Sequence, residues 1–222
     1  MPAFALANAP GLRRLPPVAT CGEMTLSFSP LRVTICGLAE LDEHCGAGIT
    51  HALSILDPDC PDPPAFAAFA PHRRLALRFH DIIEPLPGWL APSREDVAQL
   101  LSFGRELGEP TAGHLLVHCH AGVSRSTAAA ALILAQAHPD RPAAEAFDRV
   151  VQIRPRAWPN LRMLEFGDAL LGRDGALVAA AAAVYRGVLD RDPSFRQAMI
   201  LGGRSREVDA ALSLPERRPP ER

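Results

Sequence analysis

A cysteine and an arginine six positions apart are the residues of this chain best suited to chemistry. Cys119 and Arg125 lie in the segment His-Cys-His-Ala-Gly-Val-Ser-Arg-Ser-Thr (118–127), between an apolar run at 115–117 and an alanine-rich run at 128–137. This order predicts a strand, a tight loop and the N-terminus of a helix. Consecutive backbone N–H groups lack carbonyl partners at such a junction, and the helix dipole adds about half a positive charge there. The segment therefore predicts an anion-binding loop.

The side chains of this loop suit nucleophilic attack on a tetrahedral oxyanion. Because it lies beneath several N–H dipoles and beside a guanidinium, we expect Cys119 to be a thiolate nucleophile at neutral pH. The planar fork of Arg125 matches two oxygens of such an anion. Gly122 permits the backbone angles that curl the loop around the anion. Ser126 or Thr127 can donate a hydrogen bond to the sulfur and so make it a better leaving group in a second step.

These residues resemble the signature of the cysteine-dependent protein tyrosine phosphatases, which is His-Cys, five residues, Arg, then Ser or Thr. The elements present here are His118, Cys119, Gly122, Arg125 and Ser126. The resemblance implies that His118 orders the loop and that no metal or organic cofactor is required. It also implies a phosphate-binding segment made of His120, Ala121, Gly122, Val123, Ser124 and Arg125.

A second segment extends the resemblance towards the dual-specificity phosphatases. Arg154-Pro155 and Pro159-Asn160 are similar to the Arg-Pro…Pro-Asn segment that follows the signature in that family. Asn160 is itself interpreted as the N-cap of the next helix. The resemblance covers, loosely, residues 31–172.

The departing oxygen of a phosphate ester needs a proton from an acid outside the signature. Our candidate is Asp81, because it follows a predicted strand and lies in a Pro- and Gly-rich segment at 80–89, where a loop can close over substrate. Phosphatases of the family carry their general acid on such an upstream loop, so the resemblance supports this position. Glu84 is the alternative acid, whereas Asp96 is better explained as a capping residue of a helix that begins after Ser93.

The elements that must position these residues form an α/β pattern. Its order, βαββαβ followed by helices, predicts a short, largely parallel central sheet flanked by helices, as in the protein tyrosine phosphatase-like fold. Ligands bind such sheets at the carboxyl ends of the strands, where Cys119 lies. Strands are predicted at 31–37, 50–56, 74–79 and 114–118, and helices at 38–45, after Ser93, from the signature to about 137, and at 143–153, 160–171 and 174–189. We expect a disordered leader at 1–29, a catalytic domain at 30–172, a C-terminal helical extension at 173–201 and a disordered tail at 202–222.

Composition and net charge bear on the binding partner and on the cellular compartment of the protein. A formal net charge of -2 gives no indication of nucleic acid or of an anionic membrane as the partner. All 23 basic residues are arginine, which together with abundant Ala and Pro is typical of a GC-rich bacterial genome. Five scattered cysteines suit a reducing compartment, and neither a signal peptide nor an apolar run of about 18 residues is visible. We therefore expect a cytoplasmic protein, and no feature of the sequence indicates its oligomeric state.

These observations together predict a phosphatase that hydrolyses phosphotyrosine, and phosphoserine or phosphothreonine as further substrates, through a phosphocysteine intermediate. Tyrosine-specific members of the family carry an aromatic residue on a loop that deepens the pocket, but the one tyrosine here is Tyr185, in a C-terminal helix. This favours a shallower, dual-specificity pocket. Phosphoinositide phosphatases of the family place lysines in the loop, where only His120 can add charge here, and this argues against lipid. The expected partner is a phosphorylated protein or a small phosphomonoester.

Alternative interpretations remain open from sequence. The main one is a catalytically weak module of the same fold that binds phosphorylated ligands without turnover. A sulfurtransferase would need neither the downstream hydroxyls nor an upstream acid, and a zinc site at His114, His118, Cys119 and His120 has poor geometry because Cys119 faces away from the histidines along a strand. Cys36 is interpreted as a structural thiol rather than a redox partner of Cys119, and Trp89 and Trp158 as packing residues.

Overall fold

The computed structural model describes residues 31–107 and 113–215. The predicted disordered leader at 1–29 lies outside these residues. The strands are β1 (Arg32–Gly37), β2 (His51–Leu56), β3 (Arg73–Arg78) and β4 (His114–Cys119). The α-helices are α1 (Arg94–Glu106), α2 (Arg125–Ala137), α3 (Ala143–Ile153), α4 (Leu161–Leu171), α5 (Ala176–Arg191), α6 (Phe195–Leu201) and α7 (Ser205–Leu212), and two 3₁₀ helices span Leu38–His44 and Pro64–Ala68.

The four strands form one parallel sheet in the order β1-β4-β2-β3. The predicted α/β class with a parallel sheet flanked by helices is therefore confirmed. Because all strands run in the same direction, their carboxyl ends meet at one edge of the sheet. That edge brings together Gly37, Asp57, Phe79 and Cys119, which end or directly follow the four strands.

Strand β4 lies inside the sheet, and all six of its residues are buried. A parallel strand covered on both faces needs a continuous apolar sequence, which His114-Leu-Leu-Val-His-Cys119 largely provides. Helix α2 packs against it along a run of small side chains from Ala128 to Ala131, each fully buried. The helix that starts at Arg125 is thereby fixed close to the end of β4.

Helices α2 and α4 are in close contact at a glycine. A Cβ atom built on Gly167 of α4 would lie 2.2 Å from Cδ2 of Leu132 in α2. Leu132 is fully buried, so its side chain has little room to move away. Only glycine fits at position 167 with this helix spacing.

The C-terminal helices belong to the same core. Tyr185 of α5, which lies in the predicted C-terminal extension, is fully buried, and its hydroxyl donates a hydrogen bond to the Pro159 carbonyl at 2.5 Å. Its ring lies 4.6 Å from that of Trp158, which is also fully buried and is a packing residue as predicted. Helix α5 thus covers the turn that carries the Arg-Pro…Pro-Asn resemblance.

The prediction of a disordered tail at 202–222 is wrong over the residues of α7. This short helix buries Val208 and Ala211 in the main core, and Glu207 is completely buried as well. The tail looks polar and proline-rich as a whole, which hid one apolar stripe at helical spacing. The last seven residues, 216–222, lie outside the described part of the chain. None of the described helices combines the length and the apolar character needed to cross a membrane.

We expect Gly167→Ala to lower the free energy of unfolding by about 1–3 kcal/mol, because the added methyl group overpacks the contact with Leu132. Urea denaturation measures this change. The matched control is Gly187→Ala in α5, where the nearest atom to an added Cβ lies 3.6 Å away at the end of Arg191. The control should be neutral or stabilising by up to about 1 kcal/mol, since alanine favours the helix. Equal effects of the two substitutions would contradict the packing argument.

Candidate active site

The loop that joins β4 to α2 turns its carbonyl groups away from its centre. The carbonyls of His120 and Val123 accept hydrogen bonds from the backbone N–H groups of Leu38 and Trp158, both at 2.9 Å. None of the backbone N–H groups of residues 120–124 donates a hydrogen bond to any acceptor in the described ranges. These groups are therefore free to bind an anion from inside the loop.

Arg154 holds the back of the loop. Its Nε and Nη2 donate hydrogen bonds to the carbonyls of Gly122 and Ala121, at 3.1 and 3.0 Å. Glu40 binds Arg154 at 3.0 Å and also accepts a hydrogen bond from the Gly37 N–H at 2.6 Å. Burial raises the pKa of Glu40, but these hydrogen bonds and the charge of Arg154 outweigh burial and lower it. The Arg-Pro segment thus supports the loop through an ionised pair.

Gly122 occupies the sharpest point of the loop. Its φ is +68°, in the left-handed region, and a Cβ there would lie 2.5 Å from the backbone carbonyl carbon of Cys36. Both the backbone conformation and the approach of β1 require glycine at this position. The sequence argument for Gly122 rested on conformation alone and did not foresee the contact with β1.

Cys119 lies at the floor of the loop, at the end of β4, and is 2% exposed. The Sγ of Cys119 is 3.3 Å from the Oγ of Ser126 in the first turn of α2. The hydroxyl of Thr127 instead donates to the carbonyls of Val123 and Ser124, at 2.6 and 2.9 Å. Of the two hydroxyls that the sequence offered, Ser126 is therefore the one next to the sulfur.

The Arg125 guanidinium is buried and held from one side. Its Nη1 donates to Asp57 Oδ1 at 2.7 Å and to the Phe79 carbonyl at 2.6 Å, and its Nη2 lies 2.8 Å from Nδ1 of His120. Its Nε is buried and has no hydrogen-bond partner among the described residues. Nε and Nη2 form one edge of the guanidinium, and Nη2 carries a second N–H besides the one that His120 accepts, so Nε and this second N–H can bind a tetrahedral anion.

Sequence reasoning missed Asp57. It directly follows β2, and the carboxyl ends of parallel strands converge, so its position at the edge of the sheet was a usable signal. Its carboxylate binds Nη1 of Arg125 and so orients the arginine.

The two histidines of the signature have different surroundings. Because a guanidinium can only donate, Nδ1 of His120 accepts the hydrogen bond from Arg125, and burial and the charge of Arg125 lower the pKa of His120. His118 lies on the opposite face of β4 from Cys119, where its Nε2 is 2.7 Å from the Oγ of Ser54. Burial lowers the pKa of His118 to about 4. The side chain of His118 thus fixes the end of β4 against β2, and its influence on the loop passes through the strand.

Asp81 contacts the loop from above. Its Oδ1 accepts hydrogen bonds from Ser124 Oγ at 2.7 Å, Asn160 Nδ2 at 2.9 Å and Arg204 Nη1 at 3.1 Å. Burial raises the pKa of Asp81, but the positive charges of Arg204 and Arg125, together with two of these hydrogen bonds, outweigh burial and lower it. Asp81 is therefore a carboxylate in the resting protein.

The other two candidate acids point elsewhere. Glu84 is half exposed and pairs with Arg206 of α7, without a described contact to the loop. Asp96 accepts a hydrogen bond from the Ser93 N–H at 2.9 Å, while Ser93 Oγ accepts one from the Asp96 N–H at 3.1 Å. This is the capping arrangement expected for the start of α1. Asn160 likewise caps α4, accepting a hydrogen bond from the Met163 N–H at 3.1 Å.

Two alternatives raised by the sequence find little support. Cys36 pairs in register with His118, so it shares the face of His118 and not that of Cys119, and burial raises the pKa of its thiol to about 12. It is packed in a small apolar cluster with Leu41 and Leu116, which suits a structural thiol. Within residues 31–107 and 113–215, no group of three or more His, Cys, Asp or Glu side chains is arranged to hold a metal ion.

Several solved structures are similar to this chain, although no protein-family model and no curated protein sequence matches it. Human DUSP28 shares 19% identity over 64% of this chain and 94% of its own, with a TM-score of 0.47. The Cydia pomonella PTP-2 phosphatase shares 18% identity over 62% of this chain and 84% of its own, with a TM-score of 0.49. PTPMT1 in complex with PI(5)P shares 16% identity over 64% of this chain and 94% of its own, with a TM-score of 0.45.

Acid should destabilise this protein in part through His118. Between its ordinary pKa of 6.5 and the folded value of about 4, only the unfolded chain takes up a proton on this residue. The contribution of His118 to the free energy of unfolding is fully present above pH 6.5 and falls by about 3 kcal/mol as the pH reaches about 4. Urea denaturation measures this effect: over this pH range, the free energy of unfolding of His118→Gln should fall by about 3 kcal/mol less than that of the wild type. His72→Gln, at a partly exposed histidine, is the control and should follow the wild type. Parallel losses in all three proteins would rule out this role of His118.

Proposed function

We propose that this protein is a phosphatase that hydrolyses phosphate monoesters through a phosphocysteine intermediate. The observation that carries the proposal is the inverted loop, whose carbonyls are all bound from outside while the N–H groups of residues 120–124 face no acceptor among the described residues. Such a cradle fits a dianion with three equivalent oxygens. Cys119 at its floor and the open edge of Arg125 add a nucleophile and a fixed positive charge.

In the first step the Cys119 thiolate attacks phosphorus in line with the ester oxygen. The S–P bond forms, the P–O bond to the leaving group breaks, and Asp81 gives its proton to the departing oxygen. The N–H groups of the loop and Arg125 stabilise the charge on the equatorial oxygens.

In the second step a water molecule attacks the phosphorus of the phosphocysteine. Asp81, now a carboxylate, takes a proton from that water, the S–P bond breaks, and inorganic phosphate forms. The departing thiolate of Cys119 accepts a hydrogen bond from Ser126, whose Oγ lies 3.3 Å from the sulfur. Ser126 thereby favours cleavage of the S–P bond, which returns Cys119 to its free form.

Asp81 must gain a proton before it acts as an acid. In the resting protein the charges of Arg204 and Arg125 keep its pKa low. A phosphate dianion in the loop brings negative charge beside Asp81 and offsets that of Arg125, and both effects raise the pKa. Substrate binding itself therefore favours the protonated form.

Phosphorylated side chains of proteins are the proposed substrates, with phosphotyrosine and also phosphoserine or phosphothreonine accepted. The one tyrosine of the chain is fully buried in the core and lines no pocket above Cys119. A pocket without such an aromatic wall accommodates short as well as long side chains. Lipid headgroups are disfavoured because the loop has no lysine and His120 is a neutral acceptor.

The alternative is a module that binds phosphorylated ligands without turnover. The low pKa of Asp81 favours it, since a carboxylate that never gains a proton leaves a binding site without an acid. Measuring phosphate release and ligand binding on the same preparation separates the two functions.

We expect the protein to release phosphate from para-nitrophenyl phosphate and from a phosphotyrosine peptide, with inhibition by vanadate. Cys119→Ser should lower kcat at least a thousandfold, because nucleophile and leaving thiolate are both lost, yet retain binding of inorganic phosphate. A phosphorylated Cys119 detected by mass spectrometry after rapid acid quench identifies the intermediate. Wild-type protein that binds a phosphopeptide but releases no phosphate would establish the binding module instead.

The identity of the acid is tested by the pH dependence of kcat/KM. Asp81→Asn should lower kcat/KM for phenyl phosphate roughly 100-fold or more and abolish the fall in rate at high pH, since no acid remains to be deprotonated. Glu84→Gln is the matched control, because this carboxylate lies on the same loop but pairs with Arg206. Loss of activity in Glu84→Gln with retention in Asp81→Asn would reverse the assignment.

A further inference from the structure

Arg204 connects the last described helix to the proposed acid. This residue directly precedes α7, is 5% exposed, and donates from Nη1 to Asp81 Oδ1 at 3.1 Å and from Nη2 to Ser124 Oγ at 3.0 Å. The other edge of its guanidinium donates from Nε and Nη2 to the carboxylate of Glu207, each at 2.7 Å. One guanidinium thus bridges two carboxylates and the phosphate-binding loop.

Glu207 fixes the orientation of this guanidinium. Its carboxylate is fully buried and accepts further hydrogen bonds from Trp158 Nε1 and from the Leu161 N–H, at 2.5 and 3.0 Å. A bidentate pair inside such a framework leaves the arginine little freedom to rotate. Nη1 of Arg204 is therefore aimed at Asp81 by groups that lie outside the catalytic loop.

The hydrogen bonds on Asp81 are distributed unevenly. Ser124, Asn160 and Arg204 all donate to Oδ1. An oxygen that accepts three hydrogen bonds is a poor site for a proton, because a proton there would displace a donor. The proton of the acid consequently resides on Oδ2, and the three donors fix where Oδ2 points.

We infer that Arg204 is a positioning residue for the general acid, so that α7 is a functional part of the active site. This inference rests on the proposed function, because it assigns Arg204 a role in the proton transfer that Asp81 performs. Among the described residues Arg204 makes no hydrogen bond to Cys119, and it acts by orienting the Asp81 carboxylate and by placing a positive charge beside it.

The charges around Asp81 set the direction of the expected pH effect. Positive groups face it from the residue before α7 (Arg204) and from α2 (Arg125), and His120, whose pKa is lowered, lies in the loop. Glu207 of α7 binds Nε and Nη2 of Arg204, and the hydroxyl of Tyr185 of α5 is a further titratable group that interacts electrostatically with Arg204 and Asp81. Because Arg204 lowers the pKa of Asp81, its removal should raise that pKa and move the high-pH limb of the rate profile to higher pH.

The test compares two substrates that differ in their need for a proton. Phenyl phosphate has a poor leaving group and depends on the general acid, whereas para-nitrophenyl phosphate depends on it much less. In Arg204→Gln, kcat/KM for phenyl phosphate should fall at least about tenfold more than that for para-nitrophenyl phosphate. Arg206→Gln, two residues further along the chain but in a surface ion pair, should leave the ratio of the two substrates unchanged. An equal fall for both substrates in Arg204→Gln would overturn the inference.

A second comparison asks whether Arg204 acts through Asp81. In an Asp81→Asn background, Arg204→Gln should add no further loss for phenyl phosphate, because the group that it positions is already gone. Independent, multiplicative losses would show that Arg204 acts by another route. If Arg204→Gln does not fold, Arg204→Lys replaces it. Its ammonium still neutralises Glu207 but is shorter and lacks the fork that reaches Asp81, so the same selective loss is expected, and a wild-type substrate ratio would overturn the inference.

Wild-type activity separates the two proposals. If the wild type releases no phosphate from either substrate, the proposed function fails. If the wild type is active and Arg204→Gln lowers both rates equally, the phosphatase assignment stands and only the role of Arg204 fails.

Discussion

The outward orientation of five consecutive carbonyl groups is the constraint on which the site depends. A loop that binds an anion through its N–H groups must point its carbonyls the other way, and each carbonyl turned into the protein interior needs a donor. The donors come from the chain before β2, from the turn after α3 and from α2 itself. These three neighbouring segments are therefore placed where their donors can bind the carbonyls of the loop. The role of Arg154 is the clearest case, since a single guanidinium satisfies two of the five groups.

A second constraint is the way positive charge is held near the loop. Arg125, Arg154 and Arg204 are each tied to a carboxylate, respectively Asp57, Glu40 and Glu207. A rigid, planar cation fixed by an acidic partner keeps its direction, and it retains hydrogen-bonding edges for other groups. The site thus presents N–H donors on oriented guanidinium groups rather than on flexible side chains. A chain without lysine is well suited to this arrangement.

The parts of the fold that the sequence predicted are those determined by local pattern. The strands, the cap at Ser93, the turn at Gly122 and the helix after Arg125 follow from residue types within a few positions of each other. Asp57 and Arg204 escaped prediction because their partners lie 68 and 123 residues away in sequence. A one-dimensional pattern shows that a residue is charged, but not which other element will neutralise it. Helix α7 was missed for the same reason, since its few apolar residues become informative only once a core exists to receive them.

Helix α7 also has a consequence for the order in which the site is made. Synthesis proceeds from the N-terminus, so Asp81 and Cys119 leave the ribosome well before Arg204 and Glu207. Until those residues emerge, Asp81 lacks one of its three hydrogen-bond donors, and Trp158 Nε1 lacks its acceptor. The arrangement of Asp81 above the cysteine loop is therefore completed only after the segment that contains Arg204 and Glu207 has been translated.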